Sequence, residues 1–484
     1  VIKENPKVTI LVANITYVIG LACQLGLNFL IFKQLPLDEI GSYNLIMSLA
    51  LFAGFVMDLG ISQTLIRGFS QNTLGFSQAV WGALALRIPL VVLGLGALVI
   101  WLYLKSSLGH FHSALLGLAI LAQTLLGFRA IPTAWLRAHD RQNCANIINL
   151  LPPFCYFCLA FLLFYFHQFN LLLFFSGILM VEIAVTAMAF LATGQVRLPG
   201  SPKESFSPSH IKTAVGSLWK PSLIFSVVTF CELLQSRLDC ILVYYFRSGT
   251  ELAYYSLATK IFEVFEYTIC LPLQTSLPWL CKMAFAGEQN PTVTFWLKIF
   301  SFLGIVLAVA AALYLPAFLT VFWGDKFANT DNLIFLIMCG ACLNPVYSMI
   351  SLLLVTEGKE RFLLIASIVP VSAQLAINLV LIPPFGGLGA ALGMLVFFSM
   401  TFLILTNIAF KTRLIETLAL LRIILLLVVI FSVLIISRQF FAPSSLTNII
   451  VLSFIILVGL VVLINRSDWR LMLDLLRNAS KISP

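Results

Sequence analysis

Charge is what this sequence has least of. Of 484 residues only 10% are Asp, Glu, Lys or Arg, while 60% are hydrophobic; a soluble chain would carry about 25% charged residues. So little charge excludes a water-dispersed protein of about three domains at this length. Polar stretches long enough for a soluble catalytic domain are also missing, because apolar runs recur throughout and are parted only by short polar connections. The five His all fall near predicted helix ends. Of ten Cys, Cys23, Cys155, Cys158, Cys231, Cys240 and Cys270 sit inside apolar runs, where Cys behaves as a small hydrophobe. The pairs Cys155/Cys158 and Cys339/Cys342 lie in apolar helices without nearby His, so neither a metal nor a redox site is expected. Val8–Phe32 has no small-residue cleavage site and reads as a first spanning helix rather than a signal peptide. A net charge of +9 would suggest nucleic acid as partner of a soluble protein. In a membrane protein the positive-inside rule accounts for it, and no nucleic-acid partner is expected.

What is present is a series of apolar runs long enough to cross about 30 Å of hydrocarbon at 1.5 Å per residue. They predict an all-α polytopic membrane protein with fourteen transmembrane helices, near 8–32, 43–68, 79–104, 113–138, 143–167, 169–194, 219–246, 252–281, 292–322, 332–356, 361–383, 387–410, 418–437 and 446–465. The expected organisation is an N-lobe over 1–194, a cytoplasmic linker over 195–218 and a C-lobe over 219–410. Two further helices over 411–465 and a tail over 466–484 follow. In the tail Trp469, Leu471, Met472, Leu475 and Leu476 alternate with Arg470, Arg477 and Lys481, a pattern that either lies on the inner leaflet as an amphipathic helix or frays. With an even number of spans both termini share a side. Placing them in the cytoplasm puts 20 Lys and Arg inside and 5 outside, a strong positive-inside bias. The eight Trp fall near predicted helix ends, as interfacial belts require.

An internal repeat accompanies this spacing. Glu39-Ile40-Gly41-Ser42-Tyr43-Asn44-Leu45 and Glu251-Leu252-Ala253-Tyr254-Tyr255-Ser256-Leu257 share the pattern E-[IL]-[GA]-x-Y-x-L at an offset of 212 residues. The same offset carries the starts of spans one to six close to those of spans seven to twelve. Because six is even, the two lobes form a parallel pseudo-repeat about an axis along the membrane normal.

Ionisable groups inside a span cost at least about 2.5–3.5 kcal/mol each, so they are candidate functional sites. Ten occur, all in spans two to eight: Asp58, Arg87, Arg129, Glu182, Glu232, Arg237, Asp239, Lys260, Glu263 and Glu266. At 100° per residue Glu232, Gln235 and Asp239 share a face of the seventh helix, with Arg237 on another. Pro89, Pro132, Pro152, Pro153, Pro221, Pro272 and Pro278 are expected to kink the same helices. Structural alternatives stand beside these roles. Asp58 is placed to pair with Arg87 or Arg129, Glu182 could pack in its protonated form, and Arg87 and Arg129 lie near enough to cytoplasmic ends to snorkel.

Several segments together carry a resemblance. The Glu-x-Gly-x-Tyr stretch after the first span, Asp58-Leu59-Gly60, Arg237-Leu238-Asp239, Asn378-Leu379-Val380-Leu381-Ile382-Pro383 and Phe385-Gly386-Gly387-Leu388-Gly389-Ala390-Ala391 are similar to the polysaccharide-export branch of the multidrug/oligosaccharidyl-lipid/polysaccharide flippase superfamily. Within it the sequence most resembles the Wzx-type O-antigen and exopolysaccharide flippases. That resemblance implies a non-enzymatic carrier of undecaprenyl-pyrophosphate-linked oligosaccharide in the bacterial inner membrane, working from the cytoplasmic to the periplasmic leaflet. Membrane lipids and other polysaccharide-assembly membrane proteins are the partners it implies. It also implies a cationic cavity and a coupling ion, H+ or Na+, with no other cofactor. On this reading Arg87, Arg129, Arg237 and Lys260 line the cavity and attract the pyrophosphate, and Asp58, Glu232, Asp239 and Glu263 couple or gate the cycle. Val8–Phe32 is uncharged, unlike the first helix of lipid II flippases and of several drug/proton antiporters, which counts against both relatives. A multidrug or small-solute antiporter of the same fold is the alternative. A membrane polysaccharide polymerase or ligase is less expected, because the outer loops are short and hold no polar cluster.

Overall fold

The computed structural model describes residues 6–58, 61, 64–65, 69, 76, 80–89, 110–139, 141–194, 215, 226–227, 229–284, 291–356, 359, 361–412, 417–440 and 445–463. Among the described residues every regular element is helical, as lipid demands, since a helix satisfies each backbone N–H and C=O within its own segment. Ten of these helices are long and apolar enough to cross a membrane, and Val80–Pro89 and Asn448–Leu463 are shorter apolar helices. The chain is a multi-pass membrane protein.

Packing divides it into two compact units, Val1–Ala253 and Tyr254–Pro484. The first contains α1 (Pro6–Gln34), α2 (Leu37–Asp58), α3 (Val80–Pro89), α4 (His110–Ala138), α5 (Gln142–Tyr165), α6 (Leu171–Gly194) and α7 (Asp239–Phe246). Asp38 and Glu39 occupy the first turn of α2, where acids complement the positive end of the helix dipole. Within this unit α1 packs on α5, α4 on α6, α2 on α4 and α5 on α6. Hydroxyls inside the helices turn back on their own backbone, as Thr16 does to Val12 O at 2.8 Å and Thr124 to Ile120 O at 2.8 Å. Such bonds satisfy these hydroxyls within their own helices. The helices run on through Pro132 and through Pro152 and Pro153.

α8 (Gly249–Ala284) begins in the first unit and continues into the second. The second unit then holds α9 (Pro291–Trp323), a 3₁₀ segment Gly324–Thr330, α10 (Asp331–Ala341), α11 (Asn344–Thr356), α12 (Arg361–Phe385), α13 (Gly387–Thr412), α14 (Thr417–Phe440) and α15 (Ser445–Leu463). Its closest helix pair is the α12–α13 hairpin, turned by Gly386 at φ 59°. A Cβ at Gly389 would overlap the Leu381 carbonyl oxygen, and would stand 2.5 Å from its carbon and 2.8 Å from Ile382 N. Only glycine lets the two backbones approach so closely, the usual means of association in membranes, where hydrophobicity does not drive helices together.

Two spans differ from their expected form. The seventh, read as one α-helix, carries a π-helical turn at Leu234–Leu238 before α7. The tenth, read as continuous over 332–356, breaks into α10 and α11 at Cys342–Leu343. The break follows from Pro345, which has no N–H for the carbonyl four residues back. Several expectations lie outside the described residues: 195–214 of the linker, Leu59 and Gly60, the third span beyond Pro89, Pro221, and the tail from 464 onward.

Candidate functional site

The intramembrane charges are drawn together by helix packing, and most meet an opposite charge. Arg87 on α3 is 2% exposed. It donates through Nη1 to Gly127 O on α4 at 2.6 Å and through Nη2 to Asp58 Oδ1 at the end of α2. Three helices are thereby joined at one guanidinium. The Asp58 carboxylate retains 27% of its side-chain surface, so this pair has one dry and one accessible partner. Burial of Arg87 corrects the snorkelling alternative, and of the two arginines offered to Asp58 it is Arg87 that binds it.

Arg129 on α4 finds Glu182 on α6, with Nη1 to Oε2 at 2.6 Å, and both side chains are buried. The Tyr156 hydroxyl on α5 donates to the other carboxylate oxygen, while Thr133 returns its hydroxyl to Arg129 O at 3.1 Å. One carboxylate thus takes donors from two helices while standing on a third, and three spans are tied by charge-assisted bonds. Arg129 does not snorkel either. Tyr156 was not among the expected site residues, and nothing local in the sequence marks it, since its partner lies 26 residues away on another helix.

The π-helical turn changes the seventh span. Within Leu234–Leu238 each turn takes in an extra residue, so the 100° register is lost. Asp239 is 2% exposed and receives the Cys240 N–H at 2.9 Å, whereas Glu232, before the turn, is exposed. The expected common face of Glu232, Gln235 and Asp239 is therefore corrected. Arg237 lies inside the π turn and is half-buried. Ahead of the turn Phe230 stacks on Phe55 of α2 at 5.3 Å between centroids.

In the second unit Lys260 and Glu263 pair along one face of α8 at 2.7 Å, with side chains 16% and 18% exposed. One turn on, Glu266 Oε1 lies 3.4 Å from Nδ2 of Asn344, the first residue of α11, and Asn344 Oδ1 accepts from Ser348 Oγ at 2.7 Å. Asn344 and Ser348 were not anticipated either, because uncharged polar residues in a spanning run give no sequence signal by themselves.

No protein-family model matches the sequence, and a search of curated proteins returns no match. Solved structures do match in fold. The chain is similar to the lipid II flippase MurJ in an inward closed conformation, with a TM-score of 0.70 and 16% identity over 94% of this chain and 97% of that one. It is also similar to a multidrug resistance MATE family transporter of the MOP superfamily. The inward-facing conformation gives a TM-score of 0.58 and the outward-facing one 0.54, each at 16% identity over 85% of this chain and 96% of that one. The fold is thus shared with polytopic transporters of both kinds, including the lipid II flippase against which the uncharged first span had counted.

Proposed function

We propose that this chain is a flippase. It carries an undecaprenyl-pyrophosphate-linked oligosaccharide from the cytoplasmic to the outer leaflet of the bacterial inner membrane by alternating access, with both termini cytoplasmic and no covalent chemistry. The observation that carries this reading is the extent of the likeness to a flippase of a lipid-linked substrate, which covers 94% of the chain against 85% for the multidrug transporter. The difference, 9% of 484 residues or about 44 residues, is close to the length of α14 and α15, with 24 and 19 residues. The intramembrane cations support an anionic substrate. In this reading Arg87, Arg129, Arg237 and Lys260 supply positive charge along the pyrophosphate's path, and Asp58, Glu232, Asp239 and Glu263 compete for them as the cycle turns. Arg87 and Arg129 do so by exchanging an acid for the phosphate, and half-buried Arg237, in the π turn, is the cation assigned to meet it first.

Purified protein in liposomes should move a pyrophosphoryl-linked oligosaccharide between leaflets, read by its accessibility to an external glycan-modifying reagent. Arg237→Ala should abolish that movement with yield intact. Arg237→Lys should reduce it, because lysine keeps the charge without the two-pronged grip on phosphate. Normal flipping by Arg237→Ala would remove this residue from the path. A multidrug or small-solute antiporter is the second reading, favoured by the likeness to the MATE transporter. Uptake of an ethidium-like cation with no glycolipid movement would establish it instead.

A further inference from the structure

The first span is uncharged without being apolar. Within α1, Asn14, Tyr17, Leu21, Gln24 and Asn28 recur at alternating steps of three and four residues, which sets them along one face of the helix. Twelve residues at 1.5 Å each put Gln24 about 18 Å from Val12, near the middle of a hydrocarbon path of about 30 Å. Gln24 is exposed at that depth. A hydroxyl turns back to a carbonyl of its own helix, as Thr16 does, but a primary amide brings two donors and an acceptor together. Hydrocarbon offers these groups no partner, so an exposed amide at mid-depth marks a face turned to a water-filled path.

Two other faces of α1 are accounted for. Ile15, Val18, Ala22 and Leu25 are exposed and apolar, as contact with lipid requires. Gly20 and Gly26 lie in the seam with α5, where a Cβ at Gly20 would stand 3.5 Å from Leu150 Cδ1 and one at Gly26 only 2.5 Å from Phe157 Cε2. Gln24 stands about 180° around the helix from Ile15 at 100° per residue, so α1 has a second open side beyond that seam.

The seam also fixes the level of the inner end of this face. Gly20 faces Leu150 and Pro153 while Gly26 faces Phe157, an offset of about 131 residues that brings Asn14 to the turn of α5 holding Asn146. Asn146 precedes Leu150 by four residues and Pro153 by seven, so it shares their side of α5. Both asparagines are half-buried. Asn14 Oδ1 and Asn146 Nδ2 are buried without a hydrogen-bond partner. A single hydroxyl satisfies both an unmatched acceptor and an unmatched donor, because it donates and accepts at once.

We infer that the Asn14, Tyr17, Gln24 and Asn28 face of α1, with Asn146 of α5, binds sugar units of the substrate that carry hydroxyl and acetamido groups and no charge. This rests on the flippase reading above and adds which part of the substrate is recognised here. Amides answer hydroxyls in both directions, and a tyrosine ring offers a flat apolar body with a polar tip. From Asn14 to Asn28 the face extends about 21 Å, so it follows a glycan along the path rather than gripping one unit. No charge lies between Val8 and Phe32, so α1 offers nothing to a pyrophosphate or an acidic sugar.

The test compares two radiolabelled probes binding to the full chain in nanodiscs. One is a polyprenyl pyrophosphate bearing a neutral tetrasaccharide of hexose and N-acetylhexosamine, and the other is the same polyprenyl pyrophosphate without sugar. The parent protein should bind the glycolipid about tenfold tighter or more. Gln24→Leu, an apolar replacement of similar size in a membrane helix, should weaken glycolipid binding about three- to tenfold and leave the sugar-free probe unchanged. Asn28→Leu should act in the same way, so either variant decides the matter if the other does not fold. Val18→Ala, on the lipid face, should change neither. Equal binding of the two probes by the parent overturns this inference and leaves the flippase reading standing. So do leucine variants that bind the glycolipid as the parent does, or that lose both probes alike. Binding of neither probe by the parent overturns the flippase reading, and this inference with it.

Discussion

Arg129→Leu should leave little folded protein. The substitution strands the Glu182 carboxylate among α4, α5 and α6 with only the Tyr156 hydroxyl to hold it. Removing one partner of a buried pair destabilises by about 3–5 kcal/mol, a large part of the stability of most proteins. The same reasoning predicts rescue. In Arg129→Met combined with Glu182→Leu and Tyr156→Phe all three polar groups go together, no charge is left unpaired, and most of the loss should be recovered. Size-exclusion yield and melting temperature in detergent for the single and triple variants measure both effects. A single variant as stable as the parent would mean that the carboxylate has another partner of equal strength. A triple variant without recovery would assign the loss to packing.

Gly389→Val is the second large expectation. Its Cβ has nowhere to go, because the obstacles are the main chain of Leu381 and Ile382 rather than a side chain able to turn aside. α12 and α13 must separate, and the hairpin with the closest packing in the second unit loses its contact along much of its length. Overpacking of this kind costs about 3 kcal/mol. Gly389→Ala should already show much of it, whereas Gly117→Ala on α4, where a Cβ meets nothing within 4 Å, should be neutral. Melting temperatures of the three variants decide the matter. A Gly389→Ala protein that melts with the parent would show that the hairpin is more compliant than its geometry implies.

Much of the fold was legible because lipid simplifies the code: an apolar run of sufficient length can only be a helix, and the described helices follow the expected spans in order. Legibility failed where a helix departs from uniform geometry. The π turn at Leu234–Leu238 is one extra residue in a pattern read at 100° per step, and across it Glu232 is exposed while Asp239 is buried. The break after α10 was missed because Pro345 was not among the expected kinks, and proline alone is no sure sign, since others sit inside α4 and α5, which continue through them. At the site, the ionisable residues announced themselves by their cost in the membrane. Their partners did not: Arg129 and Glu182 are 53 residues apart, and only the packing of α4 on α6 joins them. Lys260 and Glu263 could be paired from sequence, because three residues along one helix is contact distance.

One bond at the head of α8 speaks to how such a chain arises. Thr250 donates to Asp38 at 2.5 Å across 212 residues, the offset that also separates the two copies of the repeated motif. The bond therefore links a position to its own counterpart. In a newly duplicated chain with two identical halves that position would meet itself, aspartate facing aspartate in repulsion or threonine facing threonine. A carboxylate accepting from a hydroxyl is a contact that duplication cannot make and only later divergence can. Here the two counterpart positions carry unlike side chains, and aspartate at both would trade a hydrogen bond for two like charges.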